Sequence, residues 1–587
     1  MTAGIGRRGW DNPAVLETLI WNKPAVGSDV QDPLGLELRM STRMAGQLLH
    51  CITTVTPRAR YYSFLPWCVQ DYRDHVKGEA ADRGLVDAIR QREKVLALGC
   101  VTHHEGATCD YGGVVGSREA QRKWSATDLD ESFDLRRYRS QGSLAWYQYF
   151  NSLVNLGCFE EMEPTEDDES VGEEGAGAGL TPDEIRLTAF GQQLAEAFGS
   201  SLGRPRVLAE LRSNRVHVTL RAVESVAARG GICEIRENGS LDRALLREMF
   251  FDRVKSPGRA HALRRMSLLL LMDLVRQCAD AGIDLDSDVL GDMLLYGATL
   301  ADDKVVELSY PARLEPVAAY WRMFYLHNHM SVALEGAFLG LIRAVEQSER
   351  GNMRFESIFA SLGDKSISST FAKALGVAGL KAFSEMTPAQ VFAAAGVPQE
   401  ARRPRIGEGV SLDCPLAEWR LAEVLREPEW ESLPTPAGLA ICLTLLSTVL
   451  LRFDELRETE SALWCARNVR DSYLDLAPPL VSGWLGQWDR AWWHRRWSEL
   501  APMLLDRFVV RQHEVLGYDK GGGSDSMILH CNDGVLSATG EYGRVTIGNP
   551  RFRNAMQILG DLGLVDLSEV QLTADGTAWL EEEMRHT

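Results

Sequence analysis

Residues 551–584 read RFRNAMQILGDLGLVDLSEVQLTADGTAWLEEEM, and this stretch decides how the chain folds. Phe552, Met556 and Leu559 recur at helical spacing and mark one apolar stripe. Gly563 stops that helix, Leu564–Asp566 predict a short strand, and Val570–Leu572 predict a second. Thr573 stands where a helix N-cap belongs, and the final helix runs through Trp579 and Leu580.

Working outward, the same grammar appears once more. SLAWYQYFNSLVNLGCFEE predicts a helix with Leu144, Tyr147, Phe150, Leu153 and Val154 at helical spacing. IRLTAFGQQLAEAF then gives a short apolar stretch and a helix. Between them lies EEMEPTEDDESVGEEGAGAGLTPDE, residues 160–184, with no Lys or Arg. So little apolar surface cannot offset the entropy of ordering, which predicts a flexible loop. Both copies share a helix ending in LGL or LGC, a strand, a loop, a strand ending in LT, and a glycine two residues into the last helix. This order resembles the recognition helix, wing and closing segment of winged-helix domains, near 135–200 and 515–587. The acidic segment is then an enlarged wing in the first copy.

Most of the chain between the copies reads as helix. Leu263–Gln277, Pro316–Glu346, Pro415–Arg426 and Pro436–Arg452 carry apolar residues three and four apart. Val216–Leu220 and Ile232–Ile235 are short strand candidates. The expected fold class is mainly α, a multi-domain helical protein with two winged-helix-like α+β units. The expected domains are a helical 1–130, a winged-helix-like 131–200 with its acidic loop, a central helical 201–430, a Trp-rich 431–514, and a winged-helix-like 515–587.

With 587 residues, the chain exceeds one ordinary core. The longest unbroken apolar runs, such as Leu268–Met272, are short, and no apolar stretch is expected to approach the roughly 20 residues of a membrane span. The opening MTAGIGRRGWDNP has no apolar signal-peptide core. A cytoplasmic protein without membrane contact is expected, and its eleven cysteines read as small apolar core residues. The formal net charge of −19 means that any DNA affinity must rest on a local patch.

Several constellations have residue types that could carry chemistry. Arg58, Arg60 and Tyr61, in TVTPRARYYSFLPW, interleave cations and aromatics as a nucleic-acid surface would, with core packing as the competing reading. Thr56 and Pro57 look like a helix start, and Pro66 like a bend. Cys100, His103, His104 and Cys109 are zinc-type ligands, though their spacing matches no paired-ligand pattern. His327 and His329 sit two apart and face different sides of a helix, one towards the core and one towards solvent. Lys520–Gly523 read as a linker rather than a phosphate loop, and Trp484, Trp488 and Trp492 as a partner-binding stripe or an internal seam. No hydrolase, kinase, metalloprotease or dinucleotide motif occurs, so no cofactor or catalytic residue is assigned.

Arg544, Arg551, Arg553 and Asn554 surround the C-terminal helix start, where a winged helix meets DNA. Against them, residues 511–587 hold six Lys/Arg and twelve Asp/Glu, a local balance of −6. The layout resembles kleisin-type subunits, which bridge SMC ATPases, and large helical proteins of bacterial antiviral-defence operons. That resemblance implies a non-catalytic scaffold or adaptor whose partners are protein subunits, an SMC-like ATPase or a nuclease. A DNA-binding regulator is the second reading, and a metal-dependent nuclease at Cys100–Cys109 the third.

Overall fold

The computed structural model describes residues 32–36, 41–75, 84–107, 112–124, 128–136, 138, 145–160, 185–213, 217–236, 240–254, 259–301, 304–307, 309–362, 365–374, 382–397, 411–426, 433, 435–456, 490–521, 527–539, 542, 545 and 547–586. The fold is mainly helical, with small antiparallel sheets. Its contacts separate the chain into two compact units, each assembled from distant stretches. The first comprises Met1–Leu38, His327–Glu455 and Asp475–Ile547, and the second Arg39–Leu326, Leu456–Leu474 and Gly548–Thr587. These units cut across the five contiguous domains expected from sequence. Segment 515–547 belongs with the first unit and 548–587 with the second.

Both copies of the repeated pattern lie in the second unit, and they repeat bond for bond. The lead helices Ala145–Asn155 and Phe552–Asp561 end before Gly157 (φ +70°) and Gly563 (φ +69°). That left-handed backbone is one glycine adopts at no steric cost, and it turns the chain sharply. The next amides close the turn: Cys158 N–H donates to Leu153 O at 2.9 Å, and Leu564 N–H to Leu559 O at 3.0 Å. A hairpin follows, Phe159 bridging Leu187 in one copy and Val565–Asp566 pairing Leu572–Gln571 in the other.

Thr188 and Thr573 then act identically. Each hydroxyl donates back to the turn glycine's carbonyl, Gly157 or Gly563, and accepts from the amide three residues on, Gly191 or Gly576. That N-cap starts the closing helices Ala189–Leu202 and Ala574–His586. Both amide donors must be glycine because the helix start lies against the strand. A Cβ on Gly191 would overlap Cys158 O, and one on Gly576 would overlap Leu564 O. Val570 is not a strand residue; it turns with φ +47°, and the strand is Gln571–Leu572. The expected acidic wing, residues 161–184, lies outside the described residues.

Around these copies the second unit packs helix on helix. Tyr61–His75 lies against Ala189–Leu202, and Gly84–His103 against Leu220–Gly230. The latter pair is close, since a Cβ on Gly99 would come within 2.5 Å of Val223 O. Helix Tyr61–His75 runs on through Pro66 where the sequence predicts a bend, and it starts at Tyr61 rather than at Pro57. Thr56 Oγ1 instead accepts from Thr53 N–H at 2.8 Å. Of the two strand candidates, His217–Val218 is a strand paired with Phe133–Asp134, but Cys233–Arg236 is a 3-10 turn.

In the first unit, helix Thr435–Leu456 is central. Its stretch Thr435–Arg452, with mean hydropathy 1.6, is long and apolar enough to cross a membrane by length and composition alone. This corrects the expectation that no apolar stretch approaches a membrane span in length, because scattered Gly, Thr and Ser interrupt the run without making it polar. The stretch is 83% buried inside the protein, and Arg452 at its end is paired with the buried Glu418. Gly336 and Gly340 let the neighbouring helix approach, an added Cβ meeting Cys442 Sγ or Leu439 Cδ2 at 2.9 Å. Asn352–Arg354, Leu529–Asn532 and Val535–Ala538 form a three-stranded antiparallel sheet. His513 supports it, Nδ1 facing Pro33 O at 3.0 Å and Nε2 accepting from Ile528 N–H at 3.0 Å.

The glycine requirement is directly testable. Gly576→Ala should lower unfolding free energy by about 1–3 kcal/mol, as overpacking does. Urea titration followed by circular dichroism measures this, and an unchanged midpoint would refute the tight helix–strand contact.

Candidate functional site

The segment Thr56–Arg60 allows either a surface or a core reading in sequence, and the structure turns it inward. Arg58 is fully buried. Its Nε donates to Asp561 Oδ2 at 2.9 Å and its Nη2 to Oδ1 at 3.0 Å, a two-pronged pair at the end of the C-terminal lead helix. Ala59 N–H adds a third bond to the same carboxylate at 3.0 Å, and Arg58 Nη1 donates to Gly112 O at 2.6 Å. The amide of Arg58 donates to Tyr149 Oη on the first copy's lead helix at 3.1 Å. One residue thus ties the two copies together.

Arg60 is equally buried. Its Nη1 donates to Gly231 O at 2.6 Å, and Nε lies 3.4 Å from Asp242, which also accepts from Ser63 and Ser240. Tyr61 is buried too, its hydroxyl accepting from Val115 N–H at 2.9 Å. Of the two readings of Arg58, Arg60 and Tyr61, the structure matches core packing and not a nucleic-acid surface: these groups meet interior partners.

The C-terminal candidates divide. Arg551 adopts φ +56° and spans back to its own chain, donating to Ile52 O at 3.1 Å and Thr42 O at 3.2 Å. Asn554 donates to Thr53 O. Arg553 is exposed, and Arg544 lies outside the described residues. The closing helix is clasped as firmly, since buried Glu583 accepts from Arg253 at 2.7 Å and from Arg265 at 2.6 Å. What this copy leaves to solvent includes Glu569, Asp575 and Glu581.

Among the described residues, Cys100, His103 and His104 do not converge on a common site. Cys100 is buried, and Cys109 lies outside the described residues. His103 Nε2 instead meets Glu234 Oε1 at 3.1 Å, and His104 Nε2 meets Cys233 Sγ at 3.0 Å. Among the described residues no group of three or more His, Cys, Asp or Glu could hold a metal ion. Sequence reasoning misses Cys233 and Glu234 because they stand about 130 positions away, with no spacing rule to link them.

Other candidates resolve as packing. His327 and His329 are both buried, correcting the expectation that one is exposed, and burial depresses both pKa values, that of His329 to about 4. Glu335 accepts from Ser331 and Tyr542 at 2.9 Å. Trp492 sits in the 3-10 turn Arg490–His494, while Trp484 and Trp488 lie outside the described residues. Their neighbours pack internally, Trp493 on Phe392 and Trp497 stacked on Phe383. Lys520 and Gly521 form the last residues of helix Arg511–Gly521, which corrects the linker reading there, and Gly522 and Gly523 lie outside the described residues.

Glu93 holds the first copy in place. Its buried carboxylate accepts from Trp146 N–H at 2.9 Å, capping the start of helix Ala145–Asn155 from a neighbouring helix. Burial pushes its pKa up to about 7, against the opposing backbone hydrogen bonds.

No family model matches the chain, and no curated protein or solved structure matches it.

Two measurements check this site. Asp561→Ala strands the buried Arg58 charge and should cost about 3–5 kcal/mol, whereas Arg58→Met/Asp561→Leu should recover part of that loss. Denaturant titration of both variants reads it, and a double variant no better than the single would refute the charge argument. For Glu93, the native state keeps a proton that the unfolded chain releases between pH 4.5 and about 7, so this group's contribution to stability falls as pH rises through that window. Glu93→Gln removes that slope. Its stability relative to wild type should climb from pH 5 to pH 7 and level off above, and a pH-independent difference would contradict the assignment.

Proposed function

We propose that the chain is a non-catalytic scaffold or adaptor subunit of a bacterial DNA-transaction or antiviral-defence complex. In this reading the two helix–hairpin–helix copies are winged-helix-like, and they dock other protein subunits as kleisin-type proteins dock an SMC-like ATPase. A nuclease is the alternative partner of the same kind.

The observation that carries this reading is the fate of the C-terminal lead helix. A winged helix that reads DNA presents the first turn of its recognition helix to the major groove. Here Arg551 and Asn554 of that turn are bonded to the carbonyls of Thr42, Ile52 and Thr53. Arg553 remains exposed beside them, and along the rest of the copy Glu569, Glu581, Arg585 and Asp575, the last paired with Arg247, are exposed. Acidic side chains repel phosphates, so the surface favours contact with protein over contact with DNA. The regulator reading rests on Arg553 among these described residues.

Co-purification of the full chain with an SMC-like ATPase tests the proposal. Retention should survive Arg553→Glu and fall in Glu569→Lys/Glu581→Lys, with both variants folded by circular dichroism. Salt-sensitive binding to duplex DNA that disappears in Arg553→Glu, with no ATPase retained, would overturn it in favour of the regulator.

A further inference from the structure

The second unit holds a cavity of about 460 Å³ that takes no part in the docking surfaces. It lies where the C-terminal half of helix Tyr61–His75 meets helices Ala189–Leu202 and Arg206–Arg212. Its size falls within the range of small-molecule sites, roughly 300–1,000 Å³.

The indole of Trp67 forms one wall. Trp67 is buried beside Gly199, where an added Cβ would stand 3.1 Å from the indole Cδ1 and 3.2 Å from Nε1. At the base, Asp71 is already neutralised by Arg92 and Arg212. Gln70 is not satisfied. Its Oε1 is buried without a hydrogen-bond partner among the described residues, an arrangement that costs free energy unless a donor arrives. On the rim, Asp74, Glu196 and Arg204 are exposed and form no ion pair among the described residues.

These groups select a ligand by elimination. An anion alone would face the uncompensated carboxylates of Asp74 and Glu196, and a cation alone would face Arg204. A molecule carrying both charges avoids both penalties. An ammonium offers N–H donors to Gln70 Oε1 and the two carboxylates, and a carboxylate suits the planar fork of a guanidinium. The apolar remainder can lie against Trp67 and Leu208.

We propose that this cavity binds a free α-amino acid, held through its ammonium by Gln70, Asp74 and Glu196 and through its carboxylate by Arg204. The site stands apart from the docking reading, so either can fail without the other.

Calorimetric titration of the full chain with each proteinogenic amino acid tests it. At least one should bind saturably. Arg204→Glu, a surface change that leaves the core intact, should weaken it at least about tenfold, or 1.4 kcal/mol. Gly199→Leu should abolish binding by filling the space beside Trp67. The N-acetyl and α-amide derivatives should each bind more weakly than the parent. Absence of saturable binding across the panel would overturn the proposal, as would binding indifferent to Arg204→Glu or to the two derivatives.

Discussion

The second unit depends on one buried ion pair. Removing a guanidinium and a carboxylate from water is costly, and only good geometry with full hydrogen bonding offsets it. Arg58 and Asp561 meet that condition, with two parallel bonds, a third from Ala59 N–H, and Gly112 O taking another guanidinium proton. The partners stand 503 positions apart in sequence. A carboxylate at that depth has no alternative partner of equal quality, so the pair specifies where the C-terminal copy seats. Because Arg58 N–H also holds Tyr149 of the first copy, the same short segment positions both helix–hairpin–helix elements.

Those two elements show how few residues define a local fold. A glycine in left-handed conformation, a threonine that bonds both backwards and forwards, and a glycine flush against the strand recur in each. The lead helices differ in what surrounds them, Glu93 capping one and Arg551 bracing the other against segment 42–53. The repeated residues fix the shape of each copy, while the divergent ones fix its seat in the unit.

This division also explains what is legible in the sequence. LGL, LGC, LT and the trailing glycine act within about ten residues of one another, or across a single hairpin, so residue order alone reveals their geometry. Helical periodicity is legible for the same reason. The roles of Arg58 and Arg60 are not, because their partners Asp561, Gly231 and Asp242 are set by tertiary packing. An arginine among aromatics looks alike whether it faces solvent or a distant carboxylate. The pairing of His103 and His104 with Glu234 and Cys233 is hidden likewise. The cavity beside Trp67 is invisible in sequence because it is space left between three helices, which no motif encodes.

The inward turn of the arginines changes what the net charge means. A count of −19 weighs every cation equally. Arg58, Arg60, Arg92, Arg264 and Arg452 are all buried. Arg264 is held by carbonyls of His50, Met249 and Phe250, and burial lowers its pKa from the ordinary arginine value. These cations are committed to internal partners and cannot neutralise phosphates. Counterion release, the main source of nucleic-acid affinity, scales with cations that reach the backbone of the nucleic acid. The supply available for that purpose is therefore smaller than the composition suggests.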